Sequence, residues 1–550
     1  MHSNKKLKNK CLRRHSQRSD KMLSNWSSDD LHNLECLLDD KDKVYFASTC
    51  RDFIFLLYQF TYQKRVYIAR IASLSYFDRF ENVDLSYESS TFVDICVPKK
   101  AKCVFYTENA SVSRLGTHAK LHIPKMVTHL TYVSNIAPMN NIPSSVTHLT
   151  FGYRFNKSIK GAIPNSVTHL KFGELYAKAL RKSIPPSVTH LEFGYYFNES
   201  ILGEIPESVT HLTLGHRFNR MLDGALPLGL TYLSLNGTFN RTLDGALPLG
   251  LTHLSLNGHI DKSIDCIVSL PLTHLTIGAY FIASLNTTLP HTLTHLCFSD
   301  YFDRSIIGLI PASLKYLEFG REFNHPIANN LPLTLTHLIL GENYHGRDKI
   351  PDSVTHLTIK SDSTNFCPWI SSSLTHLVLG GQFILLLNNA IPPTVTYLKL
   401  GGKIDQEIAP LPDSVTHLTF GYAFNHPIKK SIGRNITHLI FGNKFDRNID
   451  DSIPPSVTHL TFGYSFNRTV KNNIPATVTH LTFGENFNQP IDGAIPASVT
   501  HLELGPAFNQ PIKGNIPSSV KYLTIQKHMF NGNDIPMTVF YVNDYTYRIA

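Results

Sequence analysis

The sequence predicts a repeat solenoid of short coils, each contributing one short parallel β-strand, with a small helical module before it. One motif recurs along most of the chain, as IPPSVTHLTFGYSFNRTV at 453–470, IPATVTHLTFGENFNQPI at 474–491 and IPASVTHLELGPAFNQPI at 495–512. Its commonest spacing of 21 residues is too short for a unit that folds alone. Each unit must therefore bury its apolar face against its neighbours. The length of 550 residues also exceeds what one hydrophobic core normally serves.

The pattern inside one repeat predicts a strand with one buried face. Val457, Leu460 and Phe462 occupy its first, fourth and sixth positions, as in the L-x-x-L-x-L pattern of leucine-rich repeats. Side chains alternate along a strand, so Leu460 and Phe462 should point inward while His459 and Thr461 point outward.

The rest of the repeat predicts how the chain returns to the next strand. Gly463 should turn the chain, Phe466 should re-enter the core, and the Asn467 side chain can bond backbone groups and form a ladder in stacked copies. This Asn stands two positions later than in an ordinary leucine-rich repeat. The Ile-Pro pair that opens each unit should hold the chain extended before the next strand.

About twenty copies of this unit closely resemble the FNIP repeat, which is named for its Phe-Asn and Ile-Pro pairs. The resemblance implies a leucine-rich-repeat-like solenoid over residues 121–550. It also implies a source among giant viruses or social amoebae, where such repeats are abundant.

One outward position of the repeat is nearly always His or Tyr, and it is the predicted binding face. We expect a concave-face column of His169, His190, His211, Tyr232, His253, His274, His295, Tyr316, His337, His417, His438, His459, His480 and His501. The same repeat position holds His129, His148, His356, His376, Tyr397 and Tyr522. Evenly spaced imidazoles without Cys or carboxylate partners do not make a tetrahedral metal site. The column therefore predicts recognition or packing, and no metal site.

The sequence predicts neither a catalytic residue nor a cofactor. No glycine-rich phosphate loop or nucleophile elbow stands out. A residue repeated in every coil is a poor candidate for the single constellation that catalysis requires. The eight cysteines are scattered without a C-x-x-C pair, which favours a reducing, intracellular compartment.

Most of the net charge of +9 lies in the N-terminal tail. Residues 1–21 hold eight Lys or Arg against one acid, so the other residues together carry only +2. Nucleic acid is therefore not an expected partner of the main body. The tail is predicted to be a disordered arm, with a localisation signal as the alternative. No apolar run of about 18 residues occurs, so no membrane span is expected.

Residues 22–65 are predicted to form a small helical module. Leucines at helical spacing are followed by a polar break and a second apolar face, and this pattern resembles an F-box. Trp26-Ser27-Ser28 stands where an F-box has its Leu-Pro opening. The resemblance implies that the adaptor-contacting residues are Leu31, Leu34, Leu38, Val44, Phe46, Cys50 and Phe53. The alternative is a helical cap on the solenoid, and residues 66–120 are predicted to be a linker or degenerate capping repeats.

Together the two resemblances imply a substrate-recognition adaptor of an SCF-type cullin-RING ubiquitin ligase. The module would bind the F-box-binding adaptor of the complex, and the solenoid would hold an unidentified target protein. The alternative is a binding scaffold with no ubiquitin link. The expected location is the cytoplasm, of the host cell where the source is viral, with the nucleus as the alternative that the basic tail suggests.

Overall fold

The structure is a computed structural model that describes residues 61–544 except for several gaps. The gaps are 72–73, 76, 86–96, 108–122, 134, 136, 139–141, 261–263, 279, 282–287, 347, 362–370, 381–390, 430, 527–533, 537–538 and 540. The predicted basic tail and the F-box-like residues Leu31, Leu34, Leu38, Val44, Phe46, Cys50 and Phe53 lie outside the described residues. The chain forms two compact units. The first comprises Met1–Arg220 and Gly224–Gly229, and the second comprises Met221–Asp223 and Leu230–Ala550.

The first unit is a stack of coils joined by parallel strand pairs. Its elements are β1 (Val66–Tyr67), helix α1 (Ile68–Ile71), a 3-10 turn (Phe77–Arg79), β2 (Asn82–Asp84), β3 (Cys103–Thr107), β4 (His129–Tyr132), β5 (His148–Phe151), β6 (His169–Lys171), β7 (His190–Glu192) and β8 (His211–Leu214). Each strand pairs with the next, from β1–β2 to β7–β8. Among the described residues, strands of this kind therefore begin at Val66, before the first clear repeat.

The second unit repeats the same architecture. Its elements are β9 (Tyr232–Leu235), β10 (His253–Leu256), β11 (His259–Ile260), a 3-10 turn (Asp265–Ser269), β12 (His274–Ile277), β13 (Tyr280–Phe281), β14 (His295–Phe298), β15 (Tyr316–Glu318), β16 (His337–Leu340), β17 (His356–Ile359), β18 (His376–Leu379), β19 (Tyr397–Lys399), β20 (His417–Thr419), β21 (His438–Ile440), β22 (His459–Thr461), β23 (His480–Thr482), β24 (His501–Glu503), β25 (Tyr522–Ile525) and β26 (Tyr541–Asp544). β11 and β13 pair only with each other among the described strands, while the others pair in chain order.

The predicted alternation of side chains along each strand is confirmed. Leu460 and Phe462 are buried, as is Val457 before them, whereas His459 and Thr461 keep part of their surface exposed. Phe466 is fully buried, as predicted, and its ring stacks on Phe462 with a centroid distance of 3.9 Å. Each unit is therefore a parallel β-solenoid whose core is built from equivalent apolar positions of successive coils.

A β-turn lies between the Ile-Pro pair and the strand, where we expected an extended chain. The carbonyl of Pro454 accepts a hydrogen bond from the Val457 amide at 3.1 Å, so the proline opens a β-turn directly before the strand. Equivalent bonds occur at Pro475 and Pro496. The Ile before each proline is buried. The pair thus anchors one apolar side chain and starts the turn that leads into the next strand.

The predicted asparagine ladder is confirmed, despite its later position in the repeat. The Asn467 side-chain oxygen accepts the Asn488 amide at 2.9 Å, and Asn488 does the same for Asn509 at 3.0 Å. Asp446 supplies the equivalent oxygen to Asn467. These bonds satisfy backbone donors at the bend, where no strand partner is present.

The recurring glycine after each strand is required by close contact between coils. A Cβ at Gly484 would overlap the backbone carbonyl of Gly463 in the preceding coil. The same overlap would occur at Gly463 against Gly442. Glycine therefore permits the backbones to approach closely at this edge of the sheet.

Candidate binding face: the histidine column

The outward strand position forms a column of stacked rings in each unit. From His129 to His211 in the first unit, neighbouring imidazole centroids lie 4.1–4.2 Å apart and the rings are nearly parallel. In the second unit the spacing between neighbouring histidines is 4.0–4.3 Å. The structure thus brings together, within each unit, the column residues that the sequence predicts. That this face is concave stays a prediction.

Tyrosines divide the column of the second unit into shorter histidine stacks. Tyr316 lies 5.6 Å from His295 and 6.2 Å from His337, and Tyr397 is spaced similarly from its neighbours. The uninterrupted stacks are therefore 253–295, 337–376 and 417–501. At the end of the last stack, Tyr522 stacks on His501 at 4.0 Å.

Each column histidine is held by the threonine that precedes it. In all sixteen cases the threonine hydroxyl lies 2.9–3.0 Å from Nδ1 of the next imidazole. The backbone carbonyl of Thr437 lies 3.2 Å from the Thr458 hydroxyl, but it already accepts the amides of Thr458 and His459. Both carbonyl lone pairs are therefore used. We therefore assign the hydroxyl as the donor of a hydrogen bond to Nδ1, which places the proton of the neutral ring on Nε2.

This arrangement gives the face a row of hydrogen-bond donors. The Nε2 atoms of His438, His459, His480 and His501 have no hydrogen-bond partner among the described residues. Threonines such as Thr461 and Thr482, two residues further along each strand, add hydroxyl groups beside them. Neutral imidazoles can donate hydrogen bonds to acceptors of a partner without a charged group being buried in the contact.

Burial lowers the pKa of most column histidines. The affected residues are His129, His148, His169, His190, His274, His295, His356, His438, His459, His480 and His501. Burial between neighbouring rings is the largest cause and repulsion from nearby imidazoles comes second; for His129 the pKa falls to about 4.

The outward positions of the second unit also include a charged cluster that the sequence did not reveal. Lys360 pairs with Glu318 at 3.0 Å, although β15 and β17 are two coils apart, and the Tyr316 hydroxyl donates to the same carboxylate at 2.9 Å. Burial raises the pKa of the neighbouring Cys297 thiol to about 11, and Glu318 adds to this effect. The thiol therefore stays protonated at neutral pH and is a poor nucleophile. In the sequence, the only sign of this cluster is that Lys360 occupies the repeat position where most coils have glycine.

The arrangement of the column suits recognition rather than metal coordination. Parallel rings about 4 Å apart direct their outer edges along parallel lines, so neighbouring Nε2 atoms do not converge on one ion. Among the described residues there is no group of three or more His, Cys, Asp or Glu side chains placed to hold a metal. In the same part of the chain, no helix reaches the length and apolarity needed to cross a bilayer.

Comparison with known proteins identifies the repeat. The FNIP Repeat model matches residues 135–175, 176–202, 197–238, 283–322, 302–343, 368–403, 405–444, 424–465, 445–486, 466–506 and 487–528. No curated protein matches the chain. The predicted F-box-like module, residues 22–65, lies before every matched stretch.

The chain is similar to the solved structure of a leucine-rich-repeat protein. CroV588, described as a novel circular LRR protein, is 33% identical over 84% of this chain and 72% of its own, with a TM-score of 0.58. The TLR13–ssRNA13 complex is 15% identical over 84% of this chain and 79% of its own, with a TM-score of 0.47. The functional domain of InlJ from Listeria monocytogenes is 11% identical over 85% and 79%, with a TM-score of 0.23. The matches of the FNIP Repeat model, which cover more than half of the residues, show that this chain belongs to the FNIP repeat family.

Proposed function

We propose that the FNIP solenoid binds a protein target through the histidine column, and that the chain acts as a substrate-recognition adaptor of an SCF-type ubiquitin ligase. The observation that supports target binding is the row of Nε2 atoms on His438, His459, His480 and His501, which have no hydrogen-bond partner among the described residues. Repeat solenoids use such extended faces to bind proteins. No enzymatic step is assigned to the chain itself.

The ubiquitin link rests on the F-box-like sequence at residues 22–60. Its leucines have the spacing of an amphipathic helix that could dock on the F-box-binding adaptor of a cullin complex. The expected site is the cytoplasm, of the host cell if the source is viral. The alternative function is a binding scaffold without a ubiquitin link, in which the N-terminal module only caps the solenoid.

Leu34→Asp combined with Leu38→Asp should abolish binding of the F-box-binding adaptor. Both leucines lie on the apolar face of the predicted helix, and an unpaired carboxylate buried at that contact is costly. We expect co-purification of the adaptor with the wild-type chain and at least about a tenfold loss with the double variant.

The matched control places the same two charges on the other side of the same predicted helix. His32→Asp combined with Asn33→Asp should keep adaptor binding near the wild-type level. Circular dichroism should show an unchanged solenoid in both variants. Equal recovery of the adaptor with wild type and the leucine variant would reject the ubiquitin link and favour the scaffold.

A further inference from the structure

A second exposed surface lies beside the strand face in the first unit, at the turns that follow β5 to β8. It comprises Tyr153, Arg154, Tyr195, Tyr196, His216 and Arg217, which we name the tyrosine–arginine patch. The turns are joined directly from coil to coil. The Leu175 amide donates to the Tyr153 carbonyl at 3.0 Å, and the Arg217 amide donates to the Tyr195 carbonyl at 2.8 Å. The patch is therefore one continuous edge of the solenoid.

The three tyrosine rings of the patch are exposed, and two of them lie beside an arginine. Tyr153 is 63% exposed and Tyr196 is 46% exposed. The guanidinium of Arg217 lies 5.9 Å from the ring centroids of both Tyr195 and Tyr196. His216 stacks on Tyr195 at 4.5 Å with the two rings nearly parallel. Exposed Tyr and Arg side chains in one cluster have the composition of a protein-binding hot spot.

The patch also carries a local excess of positive charge. Residues 152–220 contain nine Lys or Arg and five Glu, a net charge of +4, whereas the chain outside the N-terminal tail carries only +2. Lys157, Lys178 and Arg220 form a neighbouring row in the same turns. Within the described part of the chain, no carboxylate lies within 4.0 Å of the side-chain nitrogens of Arg154, Lys157, Lys178, Arg217 or Arg220. These cations are free to pair with a partner.

We propose that the tyrosine–arginine patch binds an acidic, extended segment of a protein partner. Guanidinium groups supply ion pairs to carboxylates, and the tyrosine hydroxyls supply hydrogen bonds beside them. This site goes beyond the proposed function, since it lies outside the histidine column and would bind its ligand whether or not the column holds a target. Unpaired positive charge on this edge is complementary to the carboxylates of such a segment.

Two features favour an acidic peptide over a nucleic acid. Glu174 lies between the tyrosines of successive coils, where its Oε2 accepts the Tyr195 amide at 2.7 Å, and Glu199 interrupts the row of Lys178 and Arg220. A continuous phosphate backbone would meet both carboxylates, whereas a peptide can place neutral residues opposite them. In addition, His216 covers one face of Tyr195, which reduces the area on which a base could stack.

The test is fluorescence anisotropy on the full-length chain with three labelled probes. These are a 12-residue peptide of alternating Glu and Ser, the same peptide with Gln for Glu, and a 12-nucleotide oligouridylate. The patch variant is Arg154→Gln with Lys178→Gln and Arg217→Gln. Its control, Arg304→Gln with Arg434→Gln and Lys513→Gln, removes two arginines and one lysine from exposed positions in the second unit. The basic tail is present in both, so its contribution cancels.

We expect the patch variant to bind the acidic peptide about tenfold more weakly than wild type, and the control variant to lose less than about twofold. Glu174→Gln should bind it about two- to threefold more tightly, because the repulsion is removed while the amide of Tyr195 keeps an acceptor. Equal losses in the two triple variants, or equal binding of the Gln peptide, would overturn the site. Tighter, patch-dependent binding of the oligouridylate would overturn the assignment to a protein partner.

Discussion

Phe466→Ala is expected to lower the free energy of unfolding by about 3–5 kcal/mol, the largest stability effect of any single substitution considered for this chain. Phe466 is fully buried and stacks on Phe462 within its own coil. It also faces Phe445 and Phe487 in the two adjacent coils, at 6.1 Å from each. Truncation therefore leaves a cavity shared by three coils, and close-packed neighbours can collapse into it only in part.

Two control variants test whether the loss of stability comes from losing the buried ring. Phe466→Ile should cost clearly less, because the chain itself uses a buried isoleucine, Ile404, at the equivalent position. Thr469→Ala, three residues along and exposed, should change stability by less than about 0.5 kcal/mol. Urea denaturation followed by circular dichroism measures all three. A similar midpoint for Phe466→Ala and Thr469→Ala would contradict the assignment of the core face.

The core of each coil could be predicted because it follows from backbone geometry and period alone. Alternation along a strand places Leu460 and Phe462 on one face whatever the neighbouring coil contains. The repeat period then puts each of them beside its equivalent in the next coil, as the pairing of Leu460 with Leu481 shows. The asparagine ladder could be predicted for the same reason, since it joins the same position of successive repeats.

Interactions that depend on one rotamer or on one coil could not be predicted. The threonine before each histidine is visible in the sequence, but its hydrogen bond to Nδ1 is not. That bond follows from the position of a backbone carbonyl that already accepts two amides. The Lys360–Glu318 pair joins different positions of coils that are not adjacent. The tyrosine–arginine patch could not be predicted from the total charge of residues 22–550, because negative charge elsewhere in the chain offsets the positive charge of residues 152–220. In each case the decisive contact is absent from the repeat consensus.

The histidine column should make the stability of the second unit depend on pH. Burial, with repulsion from neighbouring imidazoles, lowers the pKa of His459, His480 and His501 in the folded chain. The unfolded chain, with pKa values of about 6.5, then binds more protons than the folded chain below that pH. Stability is therefore complete above pH ~6.5 and falls as the pH drops below it. Stability should continue to fall until the pH reaches the lowered pKa values of the folded chain.

Replacing His459, His480 and His501 with tyrosine should blunt that fall. The chain already stacks Tyr522 on His501, and Thr396, which precedes Tyr397, keeps its hydroxyl 3.3 Å from the Thr375 carbonyl, so the substitution has a structural precedent. Because burial and repulsion lower the pKa of all three imidazoles in the folded chain, replacing them together should remove their share of the fall.

Urea denaturation at pH 7.5, 6.5, 5.5 and 4.5 measures the effect in wild type and in the triple variant. The carboxylates on the same face, such as Glu503, are present in both chains, so their titration below pH 5 cancels in the difference. We expect the two curves to run parallel above pH 6.5 and to separate below it, with wild type losing more stability. Burial would then be the reason why the column remains neutral, and hence a row of uncharged donors, at physiological pH. Parallel curves down to pH 4.5 would instead mean that solvent reaches each imidazole in the folded chain as freely as in the unfolded one.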